Sequence, residues 1–311
     1  MKKILITGGM GFAGRYLTTQ LSSDEVHVTR LENEPECNVF AECHVLDVCD
    51  SSAMDNLVKQ LEPDVIYHLA GQSSVAVSWK NPQLTVDVNI KGAVNLLEAV
   101  RKYSPKSKVL LVGSSEEYGC MEGDKPVSEN SMSLPENIYA VTKYSQEMLG
   151  RIYYKAYGIK TVMTRSFNHI GAGQSPIFVV SDFCRQAVMI EKGLKKPVIK
   201  TGNISVMRDF TDAADIARAY EMLAEYGRTG EVYNVGSGKA VSLRHILNVI
   251  LSMTDAEISV EKDPERFRPA DVMKIEADIS KLTADTGWKP EIPLEDTIKR
   301  IMDYWRKNEN N

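Results

Sequence analysis

Apolar positions in the first half of the chain alternate between two patterns. Short continuous apolar runs, Ile4–Thr7, Val26–Thr29, Val65–Leu69 and Lys108–Val112, predict buried strands. Between them, Phe12–Leu21, Met54–Leu61 and Asn81–Tyr103 repeat apolar residues at helical spacing. Asn81-Pro82 opens the last of these, with proline at a first-turn position that needs no N–H. Ile138–Tyr157 predicts a further long helix, and Thr161–Arg165 the strand that follows it. Strand and helix alternating in this way predict a parallel sheet with helices on both faces. Right-handed crossovers then make the fold a doubly wound α/β one.

After Phe167 the rhythm changes, and glycines, prolines and short runs continue to about Thr211. Asp212–Tyr226 predicts a helix and Val232–Val235 a strand. Ser242–Met253 carries Leu243, Ile246, Leu247, Ile250 and Leu251 on one stripe, with Ser242 as the N-cap. A last helix is expected over Leu294–Trp305, with a disordered tail at Lys307–Asn311. There is no internal repeat. These features predict a second, smaller α/β lobe built mostly from the C-terminal half. On this reading residues 1–166, completed by parts of about 209–254, form the sheet unit, and 167–208 with 255–311 form the smaller lobe.

Composition narrows the function classes. The 311 residues are 43% hydrophobic and 25% charged, an ordinary globular balance. A net charge of -5, from 37 basic and 42 acidic residues, argues against a nucleic-acid partner. The cysteines, Cys37, Cys43, Cys49, Cys120 and Cys184, are odd in number and form no C-x-x-C pair. Reduced thiols in a cytoplasmic protein are expected, with neither a disulfide framework nor a metal site. The apolar run after Met1-Lys2-Lys3 stops at Thr7-Gly8-Gly9, too early for a signal peptide. No stretch approaches the ~18 apolar residues of a membrane helix.

Chemistry concentrates in two places. Thr7-Gly8-Gly9-Met10-Gly11-Phe12-Ala13-Gly14 lies between the first strand and the first helix. Gly9, Gly11 and Gly14 fit G-x-G-x-x-G, and Gly8, Gly11 and Gly14 fit the looser G-x-x-G-x-x-G. A tight turn and a pyrophosphate that must approach backbone both require glycine there, and the helix N-terminus offers it N–H groups. The second strand ends Val28-Thr29-Arg30. Thr29 and Arg30 favour the 2′-phosphate of NADP(H), while Glu32 leaves NAD(H) open. Asp47-Val48, after the third strand, would lie near an adenine, or Asp47 is a solvated turn residue.

Tyr139-Ala140-Val141-Thr142-Lys143 places a phenol and an ammonium four residues apart on one helical face. An ammonium nearby is expected to lower the phenol's pKa from ~10 into acid–base range. Ser114, at the carboxyl end of its strand, is placed to hydrogen-bond the same substrate oxygen.

The segments Thr7–Gly14, Tyr67-His68-Leu69-Ala70-Gly71-Gln72, Ser114–Gly119 and Tyr139–Lys143 together resemble the extended short-chain dehydrogenase/reductases, in order along the chain. Arg165–Gly171, Arg208-Asp209-Phe210, Arg268-Pro269-Ala270-Asp271 and Gly287-Trp288-Lys289-Pro290 extend the resemblance. That family includes nucleotide-sugar epimerases, dehydratases and reductases. The resemblance implies a Rossmann fold whose cofactor meets Gly8, Gly11, Phe12, Ala13, Gly14, Arg30, Asp47, Val48, Leu69, Ala70, Tyr139 and Lys143. It implies a substrate lobe whose sugar nucleotide meets Ser74, Ser115, Glu116, Asn168, Arg208 and Arg268, the two arginines on the diphosphate.

Within that family, Ser114–Gly119 and Asn168–Ser175 are most similar to the GDP-4-keto-6-deoxy-D-mannose reductases. Ala172 and Asp271 depart from the pattern, which has proline and glutamate there. The implied reaction is reduction of the C4 keto group by NAD(P)H, giving GDP-D-rhamnose. Tyr139 would donate the proton, Ser114 would bond the oxygen, and Lys143 would lower the tyrosine pKa and hold the ribose. Glu116 would be the C5 base of a dehydratase, or in a reductase would bond a sugar hydroxyl. A 4-epimerase, a GDP-mannose 4,6-dehydratase and a non-catalytic nucleotide sensor are the alternatives. A homodimer is expected by analogy, through Asn89–Tyr103 and Ile138–Tyr157.

Overall fold

Strands apolar on both faces find cover only inside a sheet wrapped by helices, and the apolar runs become neighbours for that reason. The computed structural model describes residues 1–34, 40–120, 125–264 and 273–309. The first half runs β1 (Lys3–Thr7), α1 (Phe12–Gln20), β2 (Glu25–Arg30), β3 (Glu42–Val45), α2 (Ser51–Leu61), β4 (Val65–His68), α3 (Val75–Lys80) and α4 (Pro82–Val86). A π-helical turn (Asp87–Lys91) leads into α5 (Gly92–Tyr103) and β5 (Lys108–Ser114). A 3-10 turn (Ser115–Tyr118), α6 (Ile138–Tyr157) and β6 (Lys160–Ser166) complete this half. Then come β7 (Asn168–Ile170), α7 (Val179–Glu191), β8 (Val198–Thr201), β9 (Met207–Asp212), α8 (Ala213–Tyr226), β10 (Val232–Val235) and β11 (Ala240–Ser242). The chain ends with α9 (Leu243–Ser252), β12 (Ser259–Lys262), β13 (Lys274–Ile275), α10 (Ser280–Thr286) and α11 (Leu294–Asn308).

Among the described residues, seven strands form one sheet in the order β3-β2-β1-β4-β5-β6-β10. Every pairing in it is parallel. The order reverses between β1 and β4, and a crevice opens beyond the carboxyl ends of strands at such a point. One face is covered by α1, α8 and α10, with Leu17, Val28, Tyr67, Tyr220, Leu223 and Trp288 in its core. The other is covered by α2, α5 and α6, with Leu5, Met54, Leu97, Val109 and Tyr153. The doubly wound α/β fold is therefore as the sequence predicts.

A separate core joins α7, α9 and α11 through Phe183, Ile199, Phe210, Ile246, Ile250, Ile298 and Met302. Beside it β11, β9 and β13 form a small sheet, with β7 added on β9, and β12 pairs with β8. The buried Asp209 carboxylate knots this lobe together. It accepts from Ser237 N (2.7 Å), Ser237 Oγ (2.6 Å), Gly238 N (2.9 Å) and Ala277 N (3.1 Å).

Three expectations are corrected. Helix α7 lies where the sequence suggested only short runs. Its N-cap is Phe178, which supplies no side-chain cap, so the usual start signal is missing. The helix predicted over Asn81–Tyr103 is interrupted, because the Gly92 N–H donates to the Asp87 carbonyl five residues back. Lys307 and Asn308 are helical rather than disordered. The end of α11 is held by Arg306 on Glu191 (2.7 Å), and Glu309 accepts from Arg185 (2.7 Å).

Replacing Asp209 by alanine leaves the buried Ala277 N–H and the partly buried Ser237 and Gly238 N–H groups without this acceptor, at about 1–3 kcal/mol each. Asp209→Ala is expected to lower the free energy of unfolding by at least about 3 kcal/mol in urea titrations. A midpoint unchanged from the parent would contradict this role.

Candidate active site

The glycine turn follows β1 directly. Gly8 has φ +70°, a left-handed conformation that L side chains rarely adopt. A methyl group at Gly8 would lie 2.8 Å from the Ala70 backbone, and one at Gly14 would lie 2.5 Å from the Gly9 carbonyl. Gly8 and Gly14 are thus fixed by packing, whereas Gly11 is exposed and meets only the Gly8 carbonyl at 3.2 Å. No side chain caps the N-terminus of α1, and no acidic residue lies in its first turn. The N–H groups of Phe12 and Ala13 are therefore on offer to an anion. The Phe12 ring itself stacks on His169, 6.0 Å between centroids, and so joins the two lobes.

The expectation for Thr29 is corrected. Its hydroxyl is buried and accepts from Gly8 N at 3.0 Å, so it buttresses the glycine turn and does not face a phosphate. Arg30 stands at the end of β2, with Nη1 donating to the carbonyls of Leu31 (3.0 Å), Glu32 (3.2 Å) and Glu34 (2.9 Å). Asp47 is exposed and caps its own turn through Cys49 N at 2.9 Å. Val48 is buried against Gly92 in the apolar core. Leu69 and Ala70 lie beside Gly8, where β4 ends.

The catalytic candidates converge beyond β4 and β5. Tyr139 is buried, and Ser114 is near enough to its hydroxyl to favour the ionised form against burial. Lys143 is buried on the same helical face, with Nζ donating to the Val112 carbonyl (2.8 Å) and to Gln146 Oε1 (3.3 Å). A methyl group at Gly71, the residue after Ala70, would lie 3.3 Å from Lys143 Nζ. That places the ammonium beside the turn that follows β4.

The electrostatics differ from the sequence expectation. Burial pushes the Tyr139 hydroxyl above the usual phenol range, and the neighbouring Ser114 only partly opposes it. The groups acting most strongly on Tyr139 do not include Lys143, which is spent on the Val112 carbonyl. Lys143 itself is lowered to about 8 by burial, with Glu117 pulling the other way. The site holds a neutral phenol beside a weakened ammonium.

Sequence reasoning missed a second layer of polar residues. Fully buried Glu117 accepts from Ser114 N at 2.7 Å. Burial and the neighbouring Glu147 raise its carboxyl well above the ordinary carboxylate range. Arg165 grips Glu147 with two bonds, Nε to Oε2 (2.8 Å) and Nη2 to Oε1 (3.1 Å). Asn89, buried in the π-helical turn, accepts from Gln72 N (2.8 Å) and donates to Gln72 O (3.0 Å) and Thr142 Oγ1 (2.9 Å). It holds the turn after β4 against the catalytic helix. An asparagine on the buried side of a helix was the only sequence signal for it.

The predicted substrate residues are less uniform. Glu116 accepts from Asn137 Nδ2 at 3.0 Å, and Asn137 caps α6, so Glu116 is tied to the start of that helix. Ser115 is buried in the same turn. Ser74 caps α3 by accepting from Val77 N at 3.3 Å. Asn168 is exposed on β7, paired with Phe210 on the strand that carries Arg208. Arg208 donates to the Met207 carbonyl at 2.9 Å. Arg268 and Asp271 lie outside the described residues.

Comparison with known proteins agrees with this geometry. The family model described as GDP-mannose 4,6 dehydratase matches residues 5–301. The chain is 31% identical over 305 residues to the GDP-6-deoxy-D-mannose reductase of Pseudomonas aeruginosa, covering 98% of this chain and 97% of that protein. It is 32% identical over 317 residues to a putative UDP-glucose 4-epimerase of Methanocaldococcus jannaschii, covering 99% of each. The solved structure of RMD from Pseudomonas aeruginosa complexed with NADPH superposes with a TM-score of 0.89 at 29% identity, covering 99% of this chain and 100% of that one.

The turn makes a separable prediction. Gly11→Ala is expected to leave the melting temperature nearly unchanged, because its methyl group meets only one carbonyl. It should weaken dinucleotide binding at least about tenfold by occupying the pyrophosphate's approach. Undiminished affinity in a fluorescence titration would show that the dinucleotide does not lie over this turn.

Proposed function

The chain belongs to the GDP-mannose 4,6-dehydratase family, and we propose that within it the protein is an NADPH-dependent reductase. Its substrate would be GDP-4-keto-6-deoxy-D-mannose, reduced at the C4 keto group to give GDP-D-rhamnose. The observation that carries this reading is the convergence of buried Tyr139, Ser114 and Lys143 at the carboxyl end of β5, with the phenol held above its ordinary range by burial. A reductase needs a proton donor at the ketone oxygen, and a neutral phenol is one. A 4-epimerase or a dehydratase must first oxidise the sugar, and needs the phenolate as base. The relative named as a GDP-6-deoxy-D-mannose reductase supports the same choice.

The residues would then take these roles. The nicotinamide cofactor supplies the hydride when bound. Tyr139 gives its proton to the oxygen that gains charge. Ser114 bonds that oxygen and orients it, an interaction that strengthens as the charge develops. Lys143 keeps positive charge beside the cofactor ribose. Glu116, tied to Asn137, bonds a sugar hydroxyl. Asn168, Arg208 and Arg268 take the diphosphate, with guanidinium forks suited to its oxygens, and Ser74 and Ser115 line the sugar. Arg30 at the end of β2 and the NADPH-bound relative support NADP(H) over NAD(H).

Exposed Val141, Met148 and Ile152 repeat along one stripe of α6 and support a homodimer in which this helix packs on its partner. The separate cores support a division in which residues 1–166 with α8, β10 and α10 form the cofactor lobe, and the elements around α7, α9 and α11 form the substrate lobe.

The decisive experiment follows absorbance at 340 nm with NADPH and GDP-4-keto-6-deoxymannose. One NADPH should be consumed per product. Product formed at constant absorbance would establish an epimerase or dehydratase instead. Tyr139→Phe should lose about 10²–10⁴-fold in kcat while binding NADPH normally. Lys143 loses its proton as pH rises through about 8, whereas Tyr139 stays protonated. kcat/KM should therefore be level below that pH and fall above it. A profile level to pH 10 would remove Lys143 from the mechanism. Val141→Glu combined with Ile152→Glu should sediment as a monomer where the parent sediments as a dimer.

A further inference from the structure

The outer edge of the main sheet holds a group of side chains that the proposed reaction does not use. In the parallel register of β2 and β3, His27 lies opposite Glu42 and Thr29 opposite His44. Paired residues point to the same face, so His27, Glu42 and His44 stand together. His27 Nδ1 is 3.0 Å from His44 Nε2 and 3.6 Å from Glu42 Oε2. The other Glu42 oxygen is 3.7 Å from His44 Nε2. One ligand atom from each of the three lies within 4.8 Å of the other two.

The far nitrogen of His27 is also engaged. Nε2 lies 3.1 Å from Glu25 Oε1, one pleat earlier on the same strand. A carboxylate there accepts the Nε2–H and fixes the tautomer, so that Nδ1 presents its lone pair to His44 and Glu42. Metal-ligating histidines are commonly oriented by such a carboxylate. The His27 side chain is 5% exposed and the Glu42 side chain 66% exposed, so a rigid imidazole faces a position that solvent can reach.

We propose that His27, Glu42 and His44 form a site for a divalent transition metal, Zn²⁺ above all, with water in the fourth position. Two imidazoles and one carboxylate suit zinc, whereas Mg²⁺ and Ca²⁺ prefer oxygen ligands throughout. Metal–ligand bonds of about 2.0–2.1 Å in a tetrahedron separate ligand atoms by about 3.3 Å. The 3.0 Å between the two ring nitrogens and the 3.6 Å from His27 Nδ1 to Glu42 Oε2 bracket that value. The ion would tie the short edge strand β3, which among the described residues pairs with β2 alone, to the rest of the sheet. His27 and His44 are 17 residues apart. Only the strand register unites them, which is why ligand spacing in the sequence gave no metal expectation.

The test is titration of zinc chloride into the full untagged chain, without nucleotide, by calorimetry. The expected result is one Zn²⁺ per chain with a Kd of micromolar or below, a rise in melting temperature with Zn²⁺, and none with equal Mg²⁺. His44→Gln should weaken binding at least about 100-fold and Glu42→Gln about tenfold. Both residues lie on the sheet edge, so the zinc-free melting temperature and NADPH binding should stay at parental values in each variant. Zinc binding unaffected by His44→Gln, or no binding tighter than millimolar, would overturn the site. So would a thiolate charge-transfer band on Co²⁺ substitution, which would place the ion on a cysteine.

Discussion

The bond from the buried Lys143 ammonium to the Val112 carbonyl, 2.8 Å long, bolts the catalytic helix to the strand beside it. A charge removed from water must find acceptors where the chain supplies them. Here the acceptors are a carbonyl two residues before Ser114 and the side chain of Gln146, whose own Nε2 donates to the same carbonyl at 3.0 Å. With α6 fixed in rotation against β5, Tyr139, one helical turn earlier, can fall only beside Ser114. The same burial that fixes the geometry weakens the ammonium and keeps the phenol neutral. Position and protonation state are thus set by one cause.

Beneath these groups the protein keeps two carboxyl groups and a guanidinium out of water. Arg165 satisfies Glu147, while Glu117 bonds the backbone N–H of Ser114. Burying such groups is costly unless each is paired, and breaking one contact leaves the others exposed to that cost. The cluster therefore behaves as a rigid floor under the serine, and its stiffness comes from the penalty for rearranging it.

The parts of this arrangement legible in the sequence were those written locally. Fully apolar strands, the glycine turn and the helix Ile138–Tyr157 each carry their signal within a few residues. The Tyr139–Lys143 spacing follows from helical period alone. What could not be read depends on long-range placement. Glu117, Glu147 and Arg165 come from a turn, a helix and a strand, and nothing in their spacing announces that they meet. Thr29 looked like a phosphate contact because strand ends usually face the ligand, yet its hydroxyl was needed by the Gly8 N–H. Helix α7 was hidden because it lacks a capping side chain at its start. The expectation that Lys143 acidifies Tyr139 failed for an energetic reason, since desolvation outweighed it.

The π-helical turn at Asp87–Lys91 has a bearing on how this stretch can change length. One surplus residue rotates everything after it by about 100° relative to an unbroken helix. Thr85 before the turn and Asn89 within it face the polar turn at Gln72, while downstream Leu96, Leu97 and Val100 face the apolar sheet. A single rod can serve two surfaces of opposite character only because its phase slips between them. Removing that residue would restore an ideal helix and ruin both contacts at once. Here regularity, ordinarily the safer choice for a helix, would be the lethal defect.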